Sequence, residues 1–207
     1  YPGLYEPEVP ALGERSMRDN GEDVLWNVQD HLRAVAYNEF YSEAMVNNLI
    51  AACSRAKELV GGKKLIGTYY GYTMTIGSSG RSQHRAHYAL KKLIDAHCVD
   101  FLMSPQDYDV RYLGDPVEDM KPFATLNKAG IMSLIEDDTR TCAGRWMPPG
   151  SDFGQVCNTC QSQMVLRRNM SVYLSRLQPY YGYALALGTE FKIPGLSKDA
   201  ADVHRVF

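Results

Sequence analysis

GIMSLIEDDTRT, residues 130–141, is the stretch on which the reading of this chain turns. An apolar run from Ile131 to Ile135 passes without a spacer into Glu136, Asp137, Asp138, Thr139 and Arg140. So short a run, opened by Gly130, reads as a buried strand, and its exit sets three carboxylates and an arginine where a core meets a cleft. One reading is a solvated loop whose acids cap the next element. The other is a site at a strand tip. Glu136 follows the apolar run directly, which places it on the tip itself, and Arg140 is near enough to pair with one acid and hold it ionised.

Outward from this stretch the chain alternates between two periods. VDFLMS, residues 99–104, is a second strand stopped by Pro105, and a long polar loop separates it from Gly130. LIGTYYGYTMT, residues 65–75, is rich in Ile, Tyr and Thr and reads as a further strand ended by GSSG at 77–80. YYGYALAL, residues 180–187, is the last. Apolar residues recurring at three and four predict helices over Val24–Val60, His84–Ala96 and Thr159–Leu177, with Gly61 and Gly62 ending the first. Residues 1–23, punctuated by Pro2, Pro7 and Pro10, form an irregular approach segment.

This alternation predicts an α/β fold with four parallel strands in chain order, at about 65–73, 99–104, 131–136 and 181–187, consecutive strands joined by helices. Closure into a barrel and an open doubly wound layer are both compatible with it. In either case ligands gather at the carboxyl ends of the strands, namely Tyr69–Thr75, Ser104–Tyr108, Glu136–Thr141 and Gly188–Phe191.

Composition narrows the function classes. The net charge is only -2 and Lys and Arg are scattered, so the phosphate attraction of a nucleic-acid binder is missing. No apolar run approaches the ~20 residues that span a bilayer, so no membrane partner is expected. Five cysteines in a chain of 207 residues do not describe a disulfide scaffold, and the CxxC of Cys157 and Cys160 has no second pair to complete a zinc site. A local disulfide or two ordinary thiols is the plainer expectation there. The strand ends instead supply what a sugar requires. Tyr69, Tyr70 and Tyr72 offer hydroxyls and flat apolar faces, and Ser104, Gln106 and Tyr108 offer neutral donors and acceptors. Alternation sends Tyr70 and Tyr72 one way and Tyr69 the other, so at least one of them packs in the core.

The blocks KLIGTYYGYT (64–73), VDFLMSPQDY (99–108), LIEDDTRT (134–141) and TCQSQMVLRRNM (159–170) resemble successive segments of β-galactosidase-like enzymes related to glycoside hydrolase family 42, in the clan A barrels. The resemblance runs from about Arg18 to Tyr183, and EDDTRT is its most specific part. It implies a partial (β/α)8 barrel, with residues 1–207 a single fragment holding strands five to eight and their helices. It implies Glu136 as the catalytic nucleophile, because the seventh strand of such barrels ends in that residue. Tyr108 is implied as the tyrosine that bonds it, and Tyr70, Tyr72, Gln106, Asp138 and Arg140 complete the substrate-binding set.

The sequence departs from these relatives where the eighth strand ends. Gly188, Thr189, Glu190 and Phe191 stand where the relatives carry aromatic residues and an acid. The acid/base glutamate of the relatives follows an asparagine at the end of the fourth strand, which is expected before Tyr1. Asn38 and Glu39 imitate that pair within a segment of helical period.

The expected function is therefore retaining hydrolysis of a carbohydrate substrate, with no cofactor and no metal. Two alternatives stand beside it: a carbohydrate-binding barrel without the reaction, and an acidic metal-binding α/β domain using Glu136, Asp137 and Asp138. An oligomer is compatible with the sequence, and a periplasmic or extracellular setting is favoured. Half a barrel would leave strand edges unpaired, so residues 1–207 alone are expected to aggregate readily.

Overall fold

Strands and helices alternate as the periodicity predicts. The computed structural model describes residues 9–15, 27–74, 85–144, 146–148, 153–182 and 194–206. After a 3-10 turn at Leu12–Arg15, the elements are α1 (Leu32–Val60), β1 (Gly67–Tyr69), α2 (Leu90–Asp95), β2 (Phe101–Pro105), α3 (Phe123–Lys128), β3 (Met132–Asp137), α4 (Thr159–Ser175), β4 (Tyr180–Gly182) and α5 (Pro194–Val206). The four strands form one parallel sheet in the order β1-β2-β3-β4, with α2, α3 and α4 as the successive crossovers. Beside β4, β3 holds the register Ile135 to Tyr180, Glu136 to Tyr181 and Asp137 to Gly182.

Local chemistry explains where the elements stop. Helix α1 ends at Gly61, whose φ of 56° is left-handed and suits glycine. Asn158 caps α4 by accepting a hydrogen bond from the Gln161 backbone N–H, and the Gln161 side chain accepts from the Cys157 N–H in return.

Four expectations require adjustment, the first being that the helix expected over Val24–Val60 begins at Leu32, after a turn at residues 28–30. Strand β1 is shorter than 65–73 because its continuation spends its donors elsewhere: the N–H groups of Gly71 and Tyr72 both point at His87 Nδ1, at 3.2 and 3.1 Å, and that of Thr73 closes a turn onto Gly71. The helix expected from His84 begins only at Leu90, since Ala86 takes a φ of 58° that no α-helix accepts and His87 serves β1. The polar loop between β2 and β3 contains α3, whose six residues are too few for a periodic signal. Residues 183–191, including the expected strand end at Gly188–Phe191, and residues 75 and 77–80 lie outside the described set.

Contacts divide the chain into two units, Tyr1–Leu102 with Ala124–Ile131, and Met103–Phe123 with Met132–Phe207. The first has an apolar core in which Val46 and Cys53 of α1, Tyr70, Leu93 of α2, Leu102 of β2 and Leu126 of α3 pack together. Within it Gly67 lies directly under the Phe101 ring, leaving no room for a Cβ. The second has a smaller apolar cluster of Val117, Ile135 and Tyr173. Among the described residues no helix is long and apolar enough to cross a membrane.

Candidate functional site

The second unit carries the site, and strand alternation sorts its residues. Ser133, Ile135 and Asp137 of β3 are buried, while Met132, Leu134 and Glu136 are half-buried. Ile135 packs on Tyr173 of α4, so the buried set faces that helix and Glu136 is directed to the opposite face. In β4 the Tyr180 ring lies 5.7 Å from that of Tyr173, on the α4 side, which directs its neighbour Tyr181 to the face of Glu136. Tyr181 is also the register partner of Glu136 and is 45% exposed. The Glu136 carboxylate makes no hydrogen bond or ion pair with a described residue.

On the α4 side the polar groups at the strand tip bond one another. Asp137 accepts from the Thr139 N–H at 3.1 Å, the Thr139 hydroxyl at 2.6 Å and Asn169 Nδ2 at 3.2 Å. The Thr139 oxygen in turn accepts from Gln106 Nε2 at 2.7 Å and from Asn169 Nδ2 at 2.8 Å, which fills the capacity of one hydroxyl. The Tyr173 hydroxyl donates to Gln106 Oε1, closing the network. Among the described residues no cation bonds Asp137. Burial pushes its carboxyl above the usual range, and the Thr139 and Asn169 hydrogen bonds oppose that rise. The Tyr173 hydroxyl is raised well above its ordinary value, first by burial and then by the Asp137 charge.

Asp138 forms a buried ion pair with Arg111. Arg111 also donates to the Phe153 carbonyl at 2.9 Å, and its guanidinium lies 4.5 Å from the centre of the Tyr108 ring. This differs from the expected pairing with Arg140, whose guanidinium lies over Phe153 at 4.7 Å. Gly154, at a φ of 74°, approaches the Arg111 backbone so closely that a Cβ would lie 2.8 Å from its carbonyl oxygen. Arg168 fastens the same loop, donating to the carbonyls of Tyr112 and Asp115 at 2.7 and 2.9 Å and to Asn169 Oδ1 at 2.9 Å.

Also at the carboxyl end of β2, the buried Lys121 donates to Ser104 Oγ and the Leu134 carbonyl, both at 2.9 Å. Burial lowers its amine to about 8, against the pull of Asp119.

The expected site residues thus divide. Glu136, Gln106, Tyr108, Asp138 and Arg140 all belong to the second unit, but Gln106 and Asp138 spend their polar atoms on protein partners. Among the described residues no hydrogen bond joins Tyr108 to Glu136, and the Tyr108 ring packs 5.2 Å from Phe153. Tyr70 and Tyr72 belong to the first unit. Tyr70 is the core tyrosine of its strand, fully buried and stacked on His87 at 4.4 Å, and its hydroxyl lies beside the Ala89 backbone without a well-formed hydrogen bond. Tyr72 is half-buried beneath the Arg85 guanidinium at 3.9 Å. Tyr69, on the other side of β1, is 51% exposed.

Glu136, Asp137 and Asp138 point to different surroundings, and among the described residues no three acidic, His or Cys side chains converge as a metal set. Cys157 and Cys160 are both exposed thiols with no disulfide.

Arg111, Asn169, Tyr173 and Tyr181 are the residues that sequence reasoning did not single out. Asn169 carried a legible signal, since it shares one helical face with Val165 and Tyr173 and breaks its apolar character. Comparison with family models, with curated proteins and with solved structures finds no match to this chain.

Proposed function

We propose that this chain is part of the (β/α)8 barrel of a retaining, β-galactosidase-like glycoside hydrolase, with Glu136 as its nucleophile. One observation supports this above the others: of the three consecutive acids at the β3 tip, Asp137 and Asp138 are bound up in protein contacts, whereas Glu136 stands on the face away from α4 with no described partner. An interior-facing carboxylate at the carboxyl end of a parallel strand is where a barrel enzyme holds a reacting group.

The mechanism follows from that placement. Glu136 attacks the anomeric carbon and forms a glycosyl ester as a second, acid carboxyl protonates the departing oxygen; water, deprotonated by that same carboxylate, then displaces Glu136 and releases the sugar with retention. Tyr181, beside Glu136 in the register of β4, presents an aromatic face to the apolar side of a pyranose ring. Asp137, Thr139, Gln106 and Asn169 act as positioning residues that hold the strand tip, and the Arg111 pair neutralises Asp138 so that no second full charge is left bare beside it.

An activated 2-deoxy-2-fluoro-β-galactoside with a dinitrophenolate leaving group tests this, because such a leaving group needs no acid catalyst. Incubation should add one fluorosugar to the chain, and peptide mapping should place it on Glu136. The Glu136→Gln variant should take no label, and its turnover of an aryl β-galactoside should fall on the order of 10³-fold or more, with an unchanged thermal melt. Labelling of a different carboxylate, or turnover that survives the substitution, would refute the assignment. Sugar binding with no label on either protein would favour the binding-barrel alternative.

A further inference from the structure

We propose that the first unit holds a second binding site, a cavity on α1 that takes a small hydroxylated amine. It rests on the first unit alone and is independent of the glycosidase reading. A cavity of about 350 Å³ opens along α1 and the segment before α2, within the size range of small-molecule sites. Asn38 and Ser42 line it one turn apart, at 7% and 2% exposure, and both break the buried face that Ala34, Val46 and Cys53 otherwise make apolar.

Asn38 Nδ2 and Ser42 Oγ are buried without a hydrogen-bond partner among the described residues. A helical serine ordinarily bonds the carbonyl one turn back, and Ser42 does not do so. Buried donors left without acceptors destabilise a fold unless something occupies the space they face. Asn38 Nδ2 can only donate, so the deep end of the occupant must carry an acceptor oxygen.

The rim selects the charge. Glu39 and Glu43 stand beside Asn38 and Ser42; among the described residues Lys92 pairs with Glu43 alone, at 3.4 Å with both side chains well exposed. This acidic rim repels a carboxylate or phosphate and attracts a cation. Tyr88 adds an aromatic wall, 47% exposed, suited to a ring or to an ammonium group. Hydroxyls inward and an ammonium outward describe an amino sugar or an amino alcohol of similar size.

Calorimetric titration of the full chain with D-glucosamine tests the proposal. One saturable site is expected, with D-glucose, which lacks the ammonium, and cyclohexylamine, which lacks the hydroxyls, each binding about tenfold more weakly. Ser42→Ala should weaken glucosamine binding by a similar factor without lowering the melting temperature, because the hydroxyl it removes has no partner to lose. Glu39→Gln should bring glucosamine down to the level of glucose. Absence of saturable binding would mean that the cavity holds water only and would overturn the proposal. Binding that both variants leave unchanged would place the amine elsewhere and overturn it equally.

Discussion

The two units solve the problem of an interior in opposite ways. The first is built mainly on aliphatic and aromatic side chains, with Leu93, Leu102 and Leu126 wholly buried around Val46 and Tyr70. The second buries Gln106, Arg111, Lys121, Asp137, Thr139, Asn169 and Gln178 around a far smaller apolar cluster. An apolar core tolerates repacking, because its contacts have no fixed direction. A buried polar network does not, since each member depends on the geometry of its partners. A strand tip that must hold one carboxylate in place benefits from the second arrangement, and the proposed nucleophile is found beside the polar interior.

This contrast can be broken most forcefully at the Arg111–Asp138 pair. Arg111→Met leaves Asp138 buried and uncompensated, so urea denaturation should show a loss of about 3–5 kcal/mol, and adding Asp138→Asn should restore much of it. Additive losses would mean that the two residues are not acting as a pair. Leu93→Ala, in the first unit, should cost about 2–5 kcal/mol. Here no second substitution of a neighbour to a smaller apolar residue should restore stability, which separates cavity formation from a broken network.

The smallest effect concerns a polar device in the aromatic part of the first unit. His87 accepts two backbone N–H groups at Nδ1, which requires that nitrogen to be unprotonated, and burial followed by the Arg85 charge lowers its pKa to about 4. An unfolded histidine titrates near 6.5, so between these values the unfolded chain binds more protons. The contribution is therefore complete above about pH 6.5 and is lost as pH falls through about 4. Denaturation midpoints measured across that window should fall more steeply for the parent chain than for His87→Gln. Parallel slopes would show that the imidazole is not the linked group.

Much of the frame could be read directly from residue patterns. Strands β2 and β3 fall within a residue or two of the expected positions because their apolar runs are bounded by Pro105 and by the acids after Ile135. The end of α1 at Gly61 and the start of α4 at Thr159 follow from local caps, which sequence displays openly. What stayed hidden depends on distant partners. Nothing near Asp138 announces that its cation is Arg111, 27 positions earlier and in a loop without periodicity. The face assigned to Tyr181 follows only from the register of β4 on β3. Tyr70 and Tyr72 read as strand-tip residues because β1 was expected to continue, whereas the N–H groups of Gly71 and Tyr72 bond His87 instead of a neighbouring strand.

Gly154 leads to a different kind of conclusion. Its left-handed φ excludes most side chains, and the Arg111 carbonyl lies where a Cβ would have to go, so two independent constraints coincide at one position. Gly61, also left-handed, meets nothing within 4 Å and could pass to asparagine at small cost. As this chain drifts through sequence space, residue 61 can change on its own, whereas residue 154 can change only if the loop that carries Arg111 moves first. The acidic strand tip is thus tied to a glycine 16 residues beyond Asp138 along the chain, and the two would be inherited together.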